Sequence, residues 1–125
     1  MNLFFLFVVA LISFPILADD LRYECPYGES SSGTPYGELH LFLQKGEMKS
    51  ARVEKDLYLA CTGKLDPQFP KGVILECGFW QGEEAVGDRA ASLAFVQHRE
   101  PIGTGTMNLS IPFNGKRIYV GCDGL

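Results

Sequence analysis

Four cysteines constrain this chain more than any other feature. Cys25, Cys61, Cys77 and Cys122 are the only ones in 125 residues, and all follow an apolar N-terminal stretch. An even number of cysteines in a short chain behind a secretory leader reads as two disulfides formed in an oxidising compartment. Four cysteines allow three pairings, and their spacing does not choose among them. No two lie in a Cys-x-x-Cys arrangement, so neither a zinc site nor any other metal or cofactor is expected.

The leader is read from "MNLFFLFVVALISFPILADD". Leu3 to Leu17 is apolar apart from Ser13 and Pro15, and Ala18 is a small residue ahead of Asp19 and Asp20. No basic side chain precedes the run, so the α-amino group supplies the only positive charge there. The apolar run is about 15 residues, short of the roughly 20 that span a bilayer. A signal peptide over 1–18 and one domain over 19–125 are therefore expected, rather than a membrane anchor. The formal net charge of −4 argues against a general electrostatic grip on nucleic acid, which needs clustered Lys and Arg. It leaves room for a small local site.

Past the leader, "LRYECPY" suggests a short strand that Pro26 ends or keeps at a sheet edge. "ELHLFLQ" alternates, with Leu39, Leu41 and Leu43 on one face, and Lys45-Gly46 breaks it. "EMKSARVEKDLYLAC", Glu47 to Cys61, has helical spacing. Met48, Ala51, Val53, Leu57, Ala60 and Cys61 share a broad face, and Thr62-Gly63 supplies a stop. "KLDPQFPKG" is a turn-rich connection. "GVILECGFW", Gly72 to Trp80, is a buried strand by its Val, Ile, Phe and Trp content. "QGEEAVGD" is a loop, and "RAASLAFVQH" is a strand with Leu93, Phe95 and Gln97 on one face. "MNLSIPF" and "KRIYVGC" form a hairpin about Asn114-Gly115. The expected fold class is α+β, with one N-terminal helix packed on an antiparallel β-sheet.

Tyr23-Glu24-Cys25 just after the leader, Ala60-Cys61, the turn Phe69-Pro70-Lys71 and Tyr119-Val120-Gly121-Cys122 carry a resemblance. In this order they resemble the fungal guanyl-specific ribonucleases, and more closely the ribonuclease-like secreted effectors of cereal powdery mildew fungi. The resemblance spans nearly all of the chain after the leader, through short motifs. It implies a ribonuclease-like fold with two disulfides, Cys25–Cys122 and Cys61–Cys77. The first ties the first strand beside the last. The second clips the helix end to the first long strand.

The same resemblance allows the catalytic positions to be checked. In Phe69-Pro70-Lys71, Phe replaces the family's Tyr and Lys replaces its His, and an exposed Lys near pKa ~10.4 is a poor general base at neutral pH. No His lies between Arg99 and Cys122. An inactive ribonuclease site is therefore expected, with no catalytic residues. The competing reading is an active guanyl-type ribonuclease in which His40, Glu76, Arg89 and His98 supply acid, base and phosphate clamp. Both histidines are expected to be solvated.

Phe79 and Trp80 read as packing residues, Lys116-Arg117 as a strand start, and the acidic loop of Glu83, Glu84 and Asp88 as solvated. Asn108-Leu109-Ser110 is an N-glycosylation sequon, with Asn108 pointing outward. The resemblance to the powdery mildew effectors implies the function of a secreted fungal virulence or avirulence effector. It binds a host plant protein, an immune receptor or host RNA, as a monomer without a membrane partner, and delivery into the host cell is left open. The third reading is an unrelated disulfide-stabilised extracellular binding protein.

Overall fold

A two-residue alternation of buried and exposed side chains runs through almost every element of the chain. A computed structural model describes residues 21–68, 72–84, 86–102 and 106–124. The leader 1–18 and the turn Phe69-Pro70-Lys71 lie outside the described residues. The strands are β1 (Arg22–Glu29), β2 (Gly37–Phe42), β3 (Lys49–Glu54), β4 (Leu57–Leu65), β5 (Gly72–Gln81), β6 (Ala94–Pro101), β7 (Thr106–Phe113) and β8 (Lys116–Gly124). Among the described residues the one helical segment is a 3₁₀ turn, Arg89–Ala91.

All strands pair antiparallel, in two sheets ordered β2-β1-β8-β7 and β3-β4-β5-β6. The inner faces meet in one core. Tyr23, Leu41, Ile118 and Val120 come from the first sheet, and Leu57, Leu59, Val73, Leu75 and Phe79 from the second. Gly63 lets the layers close, because a Cβ there would lie 3.2 Å from Leu41 and from Leu75. The protein is thus an all-β sandwich.

The expected α+β fold, with its N-terminal helix, is overturned, and the ribonuclease-like fold falls with it. The segment Glu47 to Cys61 is not helical: it is β3, a two-residue reversal and the first half of β4. Glu54 faces Leu57 across the strands, so Lys55-Asp56 forms the loop, and Asp56 takes φ 65°. Aspartate tolerates that left-handed conformation better than most side chains. Beyond the turn, Leu57, Leu59, Cys61 and Gly63 are buried at strand period. Tyr58, Ala60 and Thr62 fall on the opposite face.

Pro26 is not at an edge either, since β1 lies between β2 and β8. Its cost appears as an interruption: the ladder to β8 pairs Glu24 with Asp123, resumes at Tyr27 with Val120, and skips the step where proline has no N–H to give. Elsewhere the pattern reads true. β5 is a ten-residue strand with eight buried residues, and Asn114 and Gly115, at φ 49° and 78°, form the two-residue turn joining β7 and β8.

The disulfides are Cys25–Cys122 and Cys61–Cys77. Each joins the two middle strands of a sheet, β1 to β8 and β4 to β5. The chain-entropy model gives about 4.7 kcal/mol for closing a loop near 100 residues and about 3 kcal/mol near 15. The sequence separations here are 97 and 16. Urea unfolding of the paired Cys25→Ala, Cys122→Ala variant should therefore show a larger loss of stability than that of the Cys61→Ala, Cys77→Ala variant. An equal or reversed loss would mean that strain or unfolded-state structure outweighs loop closure.

Candidate functional site

The inner face of β6 carries polar groups where a core position is expected. Register places Val96 opposite Cys77, His98 opposite Leu75 and Glu100 opposite Val73, so all three share the inward face. Glu100 is 8 % exposed. Its Oε1 accepts from the Tyr23 hydroxyl at 3.0 Å, and its Oε2 accepts from His98 Nε2 at 2.9 Å. An ionised carboxylate here would be met by the His98 tautomer that carries its proton on Nε2. The chain Tyr23–Glu100–His98 links the first sheet to the second and runs from the core to the surface. Burying a carboxylate is tolerable here because both oxygens are bonded.

Beside Glu100 a cleft of about 380 Å³ opens between the end of β6 and the β4–β5 connection. Asp66, Gln68, Arg99, Glu100 and Pro101 line it. The Asp66 side chain is nearly buried. Its Oδ1 accepts from the Gln68 backbone N–H at 3.0 Å, and its Oδ2 lies 3.8 Å from Arg99 Nη1. The Asp66 N–H donates to the Gly72 carbonyl at 3.0 Å and closes the loop. The cleft therefore offers one exposed guanidinium, Arg99, beside two nearly buried carboxylates that are already bonded within the fold.

The four residues of the ribonuclease reading do not assemble. His40 lies on the outer face of the first sheet, bonded to Glu38 at 3.1 Å. Glu76 and Arg89 belong to the outer side of the second sheet. Glu76 accepts from Gln97 Nε2 at 2.6 Å, and Arg89 lies over the Phe95 ring at 4.3 Å. His98 lies on the inward side of β6 by register, but its side chain is 43 % exposed, so it stays in contact with solvent as expected. Phe95 and Gln97 share a face, while Leu93 precedes β6. Glu100 and Asp66 were not singled out as site residues, and Tyr23 entered only through its Tyr-x-Cys motif, because Glu100 sits in a turn-like "REP" and its partner is 77 positions away.

Other groupings are local. The Cys25, Cys61 and Cys122 sulfurs lie within 4.8 Å of one another. All three are in disulfides, so they have no thiolate to offer a metal. Glu24, Glu38 and His40 also bring ligand atoms within 4.8 Å on the exposed face of β1 and β2, a grouping the sequence reading did not foresee.

On the outer side of the second sheet, Trp80 lies flat over Gly78 and its Nε1 donates to the Asp88 carbonyl at 2.9 Å. A Cβ at residue 78 would sit 2.6 Å from the Trp80 ring.

At the opposite end from the cleft, Lys116 Nζ lies 2.6 Å from Glu54 Oε1, and the Tyr36 hydroxyl donates to the same oxygen at 3.2 Å. The Lys116 ammonium holds the Glu54 carboxyl below its usual range, and the carboxylate holds the ammonium above its own. Comparison of the chain with protein-family models, curated proteins and solved structures gave no match.

Two predictions follow from this geometry. A depressed carboxyl stabilises the fold above its unfolded pKa, and that contribution is lost as pH falls through the folded value. The raised Lys116 works the other way, losing its contribution only as pH rises through the alkaline range. The stability gap between wild type and Glu54→Gln should thus be constant in between and narrow as pH drops from about 5 to about 3. A gap that widens on acidification would mean that the pair is not coupled. Gly78→Ala should cost about 1–3 kcal/mol by overpacking and shift the emission of Trp80, the chain's one tryptophan. Unchanged emission and stability would show that the ring does not rest on Gly78.

Proposed function

We propose that the protein is a secreted, non-catalytic binding protein that contacts its partner through the loop end bearing the Asp66–Arg99–Glu100 cleft. The placement of that cleft carries the reading. It opens between the end of β6 and the β4–β5 connection, away from the two disulfides at the centre of the sandwich, so exposed Arg99 and Gln68 can meet a partner without opening the core. Disulfides persist in oxidising compartments, which agrees with the secretory leader expected from the sequence. The short Tyr23-Glu24-Cys25 resemblance favours an effector role, with a host plant protein or immune receptor as partner. The ribonuclease scaffold is no part of this reading, and the scattering of His40, Glu76, Arg89 and His98 supports a non-catalytic protein. A partner segment suited to the cleft presents an acceptor to Arg99.

Photo-crosslinking from a benzophenone side chain at Gln68 tests this. Oxidised protein is incubated with host plant extract, and in parallel with total RNA. A specific polypeptide adduct is expected. Arg99→Ala should reduce it about tenfold, the scale of one interface hot spot. The RNA should stay intact. RNA cleavage, adducts to RNA alone, or adducts indifferent to Arg99 would overturn the reading.

A further inference from the structure

The sandwich has four edge strands, β2, β7, β3 and β6. An edge presents unpaired backbone N–H and C=O groups, and natural sheets guard such edges with charge, proline or inward-pointing charged residues. Three of these follow that practice. β2 carries Glu38 and His40, and β3 carries Lys49, Arg52 and Glu54. β6 has Arg99, Pro101 and the inward-facing Glu100. β7, "TMNLSIPF", has no charged residue in its eight positions. Pro112 blocks one end, and Thr106 to Ile111 pair with β8 alone among the described residues. Asn108 stands in the middle of that stretch.

We propose that Asn108 carries an N-linked glycan, and that this glycan is the guard of the β7 edge. The inference rests on the secretion reading above, because the transfer takes place in the secretory pathway. Asn108 and Ser110 are both exposed, and Leu109 between them is not proline, as the sequon requires. Residue 121, opposite Asn108 on β8, is glycine. The Asn108 amide oxygen lies 2.7 Å from where a Cβ at 121 would be, so the side chain occupies space that only glycine leaves.

The co-reactant is a lipid-diphosphate-linked oligosaccharide. Asn108 Nδ2 bonds to the anomeric carbon of its first sugar, the carbon–oxygen bond to the diphosphate breaks, the lipid diphosphate leaves, and Nδ2 gives up one proton to a base. No electrons are transferred.

The full chain is expressed in a eukaryotic secretory host, and medium and cells are examined with and without peptide N-glycosidase. Secreted protein should shift in mobility on enzyme treatment, with Asn108 converted to Asp in the released peptide. Asn108→Gln and Ser110→Ala should abolish the shift, and Ser110→Thr should retain it. Unglycosylated protein in the medium overturns the inference and leaves secretion standing. Protein kept in the cytosol overturns both. For the guarding role, glycan-free Asn108→Gln with no free thiols should show a severalfold larger oligomer fraction than glycosylated protein at equal concentration. Oligomer fractions that match overturn that role alone.

Discussion

Two sulfur atoms touching across the sandwich set the geometry of everything around them. Cys77 Sγ of one sheet lies 3.8 Å from Cys122 Sγ of the other. Neither carries a proton, since both are in disulfides, so the contact is packing between polarisable atoms rather than a hydrogen bond. Each disulfide joins the middle strands of its sheet, so the two covalent clips meet at the centre of the core. Leu41, Leu75, Phe79 and Val120 close around them, all fully buried. A small domain has limited apolar area with which to offset chain entropy, and cross-links remove part of that entropy from the unfolded chain.

Three of the four strands at this centre, β1, β5 and β8, were legible, and β4 was not. β5 announced itself through Val73, Ile74, Phe79 and Trp80, and the β7–β8 turn through Asn114-Gly115. The segment 47–61 misled because two periods coexist in it. Met48, Ala51, Val53, Leu57, Ala60 and Cys61 fit a helical face, and its Glu and Lys residues favour helix. Ala51 and Val53 before the turn, and Leu57, Leu59 and Cys61 after it, also fit strand alternation. What decides between them is Lys55-Asp56, a reversal without the glycine that usually marks one. Local propensity then yields to pairing with β5, which sets Cys61 directly opposite Cys77.

The candidate site was legible only in fragments, for a related reason. A strand sends neighbouring side chains to opposite faces, so order along the chain says little about who meets whom. His, Glu, Arg and His in sequence looked like a catalytic set, yet β2 and β5 place the first two on outer faces of different sheets, while His98 turns inward. The group that does assemble, Tyr23 with Glu100 and His98, joins the first strand to the sixth. Only the layering of the sheets reveals it. Its inward charge also keeps β6 unattractive as an edge, so one residue serves both the cleft and the solubility of the sandwich.

Joining β1 to β8 at the middle of a sheet imposes a timetable on synthesis. Cys61 and Cys77 leave the ribosome close together, and the β4–β5 hairpin that pairs them is local. Cys25 emerges first of the four, and its partner Cys122 emerges last. Through most of translation Cys25 is a thiol without its mate, near two cysteines that can exchange with it. The first sheet cannot be complete before β8 arrives, and the pairing of Cys25 with Cys122 is favoured once the β4–β5 disulfide has withdrawn its own sulfurs. In a compartment that catalyses thiol exchange, the order of closure is therefore part of what this sequence encodes.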